Sequence, residues 1–374
     1  MGYMNEDNGF SMLKLSGIGP LEQDQEINAK RKLSNIIKQS KKQIKSDKCY
    51  YCGKKVNSFC NSHTLPQFCL RSIARNGKVQ SLNSILKIPG MREFNGIKNS
   101  GTFNMICKDC DSRIFKDYEN PKNYDNKPTI EMLAEIDMKN SLKNIYRAKM
   151  TIEMLRQSFE IAGIDDFDGS TFNKMRTIDL EEFVEDYKYA KHSSLKPFAT
   201  DYHIGYHRIL PYVVPLAIQG SLAMLCDLEG NIINDLYCED PRYKILNLDV
   251  CVFPLEDKTS IFMFVKKKNK RYARFFKQLN KIPLIDDQLA LINYILFSYS
   301  EDIFISPICS QKAIMKLKPL TEKSLDMFST LDAYFMNSKV KSYNAKKNFD
   351  FSDYKMYPNL LSEEYAIRKQ SAST

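Results

Sequence analysis

Apolar residues recur at helical spacing in several stretches of this 374-residue chain. In residues 30–48, Leu33, Ile36, Ile37 and Ile44 fall on one stripe among eight Lys or Arg and one Asp, which predicts a basic amphipathic helix. The same spacing predicts further helices over about 130–162, 177–191, 270–281, 286–299 and 320–336.

After residue 200 the pattern changes to short apolar runs separated by turn residues. The segment SLAMLCDLEGNIINDLY predicts two strands around a turn at Leu228–Asn231, and YKILNLDVCVFPLEDKTSIFMFVKKK predicts a second pair. Together with the helices, these strands predict an α+β fold with an antiparallel sheet in the C-terminal part.

The composition is that of an ordinary globular protein, with 43% hydrophobic and 27% charged residues. It excludes a disordered chain, a fibre and a disulfide mini-protein. Lys and Arg (55) exceed Asp and Glu (45), a net charge of +10 that favours a nucleic-acid partner without requiring one. The N-terminus shows no secretory signal and no apolar run is long enough to span a bilayer, so we expect a cytoplasmic protein without a membrane partner.

Two CxxC pairs, Cys49–Cys52 and Cys107–Cys110, carry the most specific chemical signal in the sequence. In a reducing compartment, clustered thiols are metal ligands more often than disulfides. Each pair presents two thiolates from one tight turn, and two such turns complete the tetrahedral set of four sulfurs that zinc prefers. We therefore predict a structural zinc site; the alternative is four unrelated reduced thiols in the core.

A second motif lies between the two pairs. It reads Ser62-His63-Thr64-Leu65-Pro66-Gln67-Phe68, and the second pair is followed directly by Asp111 and then by Phe115 and Glu119. This order resembles the zinc-bound HNH (ββα-metal, treble-clef) endonucleases. It is closer still to a set of uncharacterised bacterial proteins with a CxxC, SHxxPxF, CxxC[DE] pattern. The resemblance covers about residues 49–120.

The resemblance implies an N-terminal, zinc-stapled treble-clef module and a metal-dependent endonuclease that hydrolyses phosphodiester bonds in DNA, with a role in defence against foreign DNA. Carried over residue by residue, His63 is the general base and Asp111 is a ligand of a catalytic Mg²⁺ or Mn²⁺ ion. Activation of water by a base and neutralisation of phosphate charge by a cation are what this hydrolysis requires.

The sequence departs from the active HNH pattern at three positions. Ser62 stands where the metal-binding Asp precedes the His, Asn104 is only three positions before Cys107, and Asp111 stands where the helix carries His or Asn. These differences support an alternative function. In it, the module is a non-catalytic zinc-binding unit that binds nucleic acid or a protein partner, and the C-terminal domain carries the main function.

This interpretation divides the chain into five parts. They are an N-terminal arm with the basic helix (1–48), the HNH-like module (49–120), a helical region (121–199), an α+β domain of unknown role (200–340) and a polar tail (341–374).

Several residues around the motif have two interpretations. Cys60 and His63 form a CxxH pair that could bind zinc with Cys69 nearby. Asp111 could instead stabilise a helix by placing its negative charge near the positive, N-terminal end of the helix dipole. Three basic residues could bind phosphates or form the solvated face of a short helix; they are Arg71, Arg75 and Lys78.

Two further features lie outside the motif. His203 and His207 are four residues apart, a spacing that binds metal on a helix, but no glutamate of an HExxH motif is present and we interpret them as a surface or core pair. The run KKKNKRYARFFK, residues 266–277, alternates basic and aromatic residues as nucleic-acid-binding surfaces do. An amphipathic helix with its aromatics in the core is the interpretation we prefer.

Overall fold

The computed structural model describes residues 23–81, 94–163, 166–235, 238, 240, 242–300, 302–321 and 351–368. Its α-helices are α1 Gln23–Gln43, α2 Gln67–Ile73, α3 Lys108–Ile114, α4 Ile130–Ile161, α5 Thr171–Leu195, α6 Ala273–Lys281 and α7 Ile285–Tyr299. Residues 311–321 are also helical, and the rest of the helix predicted over about 320–336 lies outside the described residues. None of the described helices is long and apolar enough to cross a bilayer.

Antiparallel strands form the centre of the fold. They are β1 Ser62–His63, β2 Lys78–Ser81, β3 Phe94–Gly96, β4 Thr102–Phe103, β5 Tyr202–Leu210, β6 Leu216–Leu222, β7 Leu248–Pro254, β8 Thr259–Lys266 and β9 Ile303–Ile305. Seven of them make one sheet in the order β3-β2-β9-β6-β7-β8-β5, and β1 pairs with β4 in a separate ribbon. The prediction of an α+β fold with an antiparallel sheet is confirmed, as is the β7–β8 hairpin.

The sheet also includes strands from the cysteine-rich segment. β2 and β3 lie between the two CxxC pairs in sequence, yet β2 pairs with β9, with Gln80 opposite Ile305. The predicted module over residues 49–120 therefore shares a sheet with the C-terminal part of the chain.

The two faces of this sheet carry separate parts of the core. Side chains alternate across a strand, so in β7 Val250 and Val252 belong to one core cluster and Cys251 and Phe253 to the other. The first cluster includes α6, α7 and Leu360, which falls within the predicted polar tail. The second includes the cysteine-rich segment and α4. The sheet is thus the middle of three layers.

Helix α4 is buried on all sides over its first half. It begins after Thr129, whose hydroxyl oxygen accepts the N–H of Met132 at 3.3 Å. A buried charge needs a partner, because moving an unpaired charged group from water into the core costs several kcal/mol. The charged side chains buried on this helix are Glu135, Asp137, Lys139 and Lys143. Their partners fix how α4 sits between the sheet and the cysteine-rich segment.

The segment after β6 differs from the predicted pair of strands. Its described residues, up to 235, contain one bridge pair, Cys226 with Ile232. The Asp227 carboxylate accepts the N–H groups of Glu229 and Asn231, both at 2.9 Å. Because the Asp227 carboxylate accepts these N–H groups, they are not available for pairing between strands. The segment therefore forms a tight turn.

The paired histidines lie on strand β5, so their spacing does not place them on a helix face. The ladder shifts between Ile204 and Tyr206, and a Cβ on Gly205 would lie 2.2 Å from Cγ of Phe276. Glycine is needed here because Phe276 packs directly on the strand. In the run 266–277, Tyr272, Phe275 and Phe276 are buried, which confirms that the aromatics lie in the core. Lys266 differs from the prediction, because it ends strand β8 and is itself buried.

Candidate metal centre and the adjoining polar cluster

The four predicted cysteines converge. The Sγ atoms of Cys49, Cys52, Cys107 and Cys110 all lie within 4.8 Å of one another, so they could hold a metal ion. Among the described residues this is the one group of this kind, and it includes neither Cys60 nor His63. Four thiolate ligands are the donor set that a tetrahedral zinc site uses.

Each cysteine pair is held by its own turn. In the first, the N–H of Gly53 donates to the Cys49 carbonyl at 2.8 Å, and Gly53 has a φ of +70°, a conformation that glycine adopts without steric cost. In the second, the pair opens helix α3, and the N–H of Asp111 donates to the Cys107 carbonyl at 3.0 Å. The N–H of Cys107 also points at Cys49 Sγ, at 3.3 Å. This contact joins the two turns.

The backbone also favours the thiolate that a metal needs. Burial raises the pKa of Cys49, but N–H groups of Cys52, Cys107 and Tyr51 outweigh it and bring this pKa down to about 7. N–H donors stabilise a negative sulfur at Cys49, whereas burial and the neighbouring cysteines raise the pKa of Cys110, so the thiolate forms first at Cys49.

Helix α5 covers the first cysteine turn. The ammonium group of Lys191 donates to the carbonyl oxygen of Tyr51 at 2.8 Å and lies 4.1 Å from the centroid of the Tyr51 ring. The Tyr50 ring packs edge-on against Tyr187, with centroids 5.1 Å apart. The cysteine cluster is therefore tied to the helical region that follows it in sequence.

His63 lies on the short ribbon formed by β1 and β4, opposite Thr102. Its Nε2 is 3.0 Å from the carbonyl oxygen of Ile97. A carbonyl only accepts, so in the neutral ring this nitrogen carries the proton and Nδ1 keeps a lone pair. His63 is half-buried, and Nδ1 is the ring nitrogen that this contact leaves able to accept a proton.

Asp111 lies close to the same ribbon and is fully engaged by protein groups. Its Oδ1 accepts the Ser62 hydroxyl at 2.5 Å and the Lys139 ammonium at 2.9 Å. Its Oδ2 accepts the Cys60 thiol at 3.3 Å. Burial alone would raise the pKa of Asp111, but the Lys139 ammonium and the Ser62 hydroxyl outweigh it and lower this pKa. The carboxylate is therefore a half-buried acceptor with three donors.

A Mg²⁺ or Mn²⁺ ion at Asp111 does not fit these residues. The Lys139 nitrogen already lies beside Asp111 and is 3.2 Å from Glu119 Oε1, and the side chain of Lys139 is fully buried. A divalent cation there would meet a fixed positive charge at hydrogen-bond distance from the same carboxylates. Asp111, which the sequence predicts as a metal ligand, is thus the anionic partner of Lys139.

The other predicted site residues differ in exposure. Arg71 is exposed and donates to Gln67 at 2.6 Å, Arg75 is half-buried and Lys78 is exposed. Cys69 is buried in the core and is not a member of the group of four cysteines that could hold a metal.

Exposed positive charge is concentrated in this part of the chain. Residues 30–81 contain thirteen Lys or Arg and one acidic residue, Asp47. That excess of twelve is larger than the net charge of the whole chain, +10. Eleven of these basic residues are exposed: Arg31, Lys32, Lys38, Lys41, Lys42, Lys45, Lys48, Lys54, Lys55, Arg71 and Lys78.

A polar cavity of about 250 Å³ lies between α4, α5 and the ends of the central strands. Asp137, Asp249 and Lys266 are buried in its wall. Burial raises the pKa of Asp137 to about 7, although the Lys266 ammonium opposes this shift. Burial also raises the pKa of Asp249. The Lys266 ammonium is shared by the carboxylates of Asp137, at 3.4 Å, and Asp186, at 2.5 Å, and burial still favours a proton on Asp137 near neutral pH.

Sequence reasoning missed Lys139. A signal was available, because Glu135, Asp137, Lys139 and Lys143 lie among the apolar residues in the first half of a predicted helix. Charges at such spacing cannot all face solvent from one side of a helix. They indicate a helix with polar neighbours on more than one side.

Comparison of the chain with protein-family models, with curated proteins and with solved structures finds no match.

Proposed function

We propose that this chain is a nucleic-acid-binding protein whose basic N-terminal segment is fixed by a zinc ion at Cys49, Cys52, Cys107 and Cys110. The concentration of charge carries this proposal: residues 30–81 have thirteen basic residues and one acidic residue. Lysine and arginine that neutralise phosphates release counterions, and this term supplies most of the affinity of non-specific nucleic-acid binding.

The zinc site gives this charge a fixed geometry. Helix α1 leads into the first cysteine turn, and residues 71–78 lie between the two cysteine pairs in sequence. Strands β1 and β4 pair and helix α3 follows β4, so the ribbon and this helix lie next to each other beside the cysteines, with α2, β2 and β3 inserted between the two strands in sequence. This arrangement is what the resemblance to HNH-like, treble-clef modules leads us to expect, and such modules bind nucleic acid.

A second candidate function is hydrolysis of the bound nucleic acid. The observation that favours it is the contact of His63 with Ile97, which leaves Nδ1 able to take a proton from water. In that function, His63 would be the base. Asp111 would act only by positioning Ser62 and Lys139, and we assign no metal to it.

One experiment separates the two. Zinc-loaded wild type and His63→Ala are titrated with single-stranded DNA, duplex DNA and RNA at several salt concentrations, and the same samples are assayed for cutting with Mg²⁺ or Mn²⁺. We expect salt-dependent binding that is equal in both proteins, and no cutting that depends on His63. Absence of salt-dependent binding to all three polymers would contradict the proposal. Cutting that falls about 10²–10⁴-fold in His63→Ala would establish the second candidate.

A further inference from the structure

Three oxygen atoms converge on the side-chain nitrogen of Lys139. Ser62 Oγ and Asp111 Oδ1 are each 2.9 Å from this nitrogen, and Glu119 Oε1 is 3.2 Å away. They come from β1, from α3 and from the turn after α3, whereas Lys139 belongs to α4. The Phe115 ring closes another side, with its centroid 3.8 Å from the nitrogen.

The chemistry of this group is that of a cation site. An ammonium has three N–H donors and no acceptor, and here three oxygens are within reach. Carboxylate and hydroxyl oxygens are also the donors that hard divalent cations bind. Asp111 and Glu119 together supply two negative charges when ionised, so one ammonium neutralises only half of them.

We infer that Ser62, Asp111 and Glu119 form a cation cage and that the Lys139 ammonium is its resident cation. The protein carries this cation covalently, so the cage needs no divalent metal from solution. Removing the Lys139 side chain leaves two carboxylates and a hydroxyl around an empty volume, and this cage then takes one divalent cation.

The inference is independent of nucleic-acid binding, because none of these contacts involves the exposed basic residues. The cage also accounts for serine at position 62, where the HNH pattern has aspartate. A serine hydroxyl donates to Asp111 and accepts from Lys139, whereas a third carboxylate at that position would find one buried ammonium shared among three anions.

The test is Mn²⁺ binding, followed by electron paramagnetic resonance, on zinc-loaded full-length protein. Lys139→Ala is compared with wild type and with Lys143→Ala. Lys143 is a matched control, since it is buried on the same helix and pairs with Asp302, which keeps Arg147 as a second partner. A double variant, Lys139→Ala with Asp111→Asn, removes a cage carboxylate.

We expect one Mn²⁺ per chain in Lys139→Ala, with a Kd of about 10⁻⁴–10⁻³ M as for weak oxygen-donor sites. Wild type and Lys143→Ala should bind none in that range, and the double variant should bind at least about tenfold more weakly. The inference is overturned if folded, zinc-loaded Lys139→Ala binds no more Mn²⁺ than Lys143→Ala. It is also overturned if wild type binds one Mn²⁺ that Asp111→Asn removes.

A second variant covers the case in which Lys139→Ala does not fold. Lys139→Gln keeps most of the side-chain volume and is taken through the same titration. Both variants are also refolded with zinc, with and without added Mn²⁺ or Ca²⁺. Folding that requires the added cation supports the cage, and failure of both variants to fold with either cation counts against it.

Discussion

The Lys139 nitrogen lies 2.9 Å from Asp111 Oδ1, and this ion pair joins central helix α4 to helix α3, which begins at the second cysteine turn. The lysine side chain is fully buried and the aspartate side chain is 17% exposed, so solvent screens the pair little. A change at either residue should therefore affect both the cysteine-rich segment and the core.

Replacing Lys139 by Met should lower the free energy of unfolding by about 3–5 kcal/mol, the usual cost of leaving a buried charge without its partner. Methionine keeps most of the length of the lysine side chain, so most of the loss comes from the missing charge. Denaturant unfolding of zinc-loaded protein measures it. Lys122→Met is the control, because Lys122 is exposed and such changes stay within about 0.5 kcal/mol.

Adding Asp111→Asn to Lys139→Met completes a double-mutant cycle. If the pair interacts directly, the double variant should be less destabilised than the sum of the two single variants, because neither charge is then left alone. Strict additivity would show that the two residues do not stabilise each other.

Cys110→Ser should reduce zinc content below one ion per chain and lower the unfolding temperature. A structural metal contributes its binding free energy to folding, and Cys110 is buried among the four ligands. Cys238→Ser is the matched control, since Cys238 is exposed and outside the cluster. Zinc content is measured by atomic absorption, and full zinc loading of Cys110→Ser would contradict the assignment of the ligands.

The local features of this fold could be predicted from the sequence. The helix predicted over about 130–162 agrees with α4, which spans Ile130–Ile161, because apolar spacing is a local property of the sequence. The group of four cysteines could be predicted for a similar reason, because each CxxC pair lies in a single turn. The one assumption was that the two turns lie next to each other in the fold.

The contacts that define the site are long-range, and pattern alone could not predict them. Lys139 meets Asp111 and Ser62 only because α4 packs across the β1–β4 ribbon, and a lysine in a helix usually faces solvent. The pairing of Gln80 with Ile305 likewise depends on tertiary packing, because no turn connects β2 to β9.

Charge reversal on α1 should weaken nucleic-acid binding. Lys41→Glu with Lys42→Glu places two negative charges among exposed basic residues, so the slope of log affinity against log salt should become shallower by about two. The matched control is Lys277→Glu with Lys281→Glu, two exposed lysines on α6. Fluorescence anisotropy with labelled DNA measures both. Equal losses in the two double variants would show that net charge, not residues 30–81, sets the affinity.

Glu135 should make the protein less stable as the pH rises towards 7. Burial raises the pKa of Glu135 to about 7, partly offset by the N–H of Tyr118, which donates to it at 2.9 Å. In the unfolded chain the pKa is about 4.3. At a pH between these two pKa values, Glu135 keeps a proton in the folded state that it has lost in the unfolded state. The free energy of unfolding then falls as pH rises, by up to about 1.4 kcal/mol per pH unit.

Glu135→Gln removes this titration, and Glu131→Gln is the control, an exposed glutamate at the start of the same helix. Unfolding is measured in denaturant at pH 5.5, 6, 6.5, 7 and about 8. Protonation of the cysteine ligands also changes stability over this range, but equally in all three proteins, so the quantity compared is the difference from wild type. We expect the stability of Glu135→Gln relative to wild type to rise with pH up to about 7 and then level off, while Glu131→Gln stays parallel to wild type. A constant difference for Glu135→Gln across the range would show that Glu135 is already ionised in the folded protein at pH 5.5.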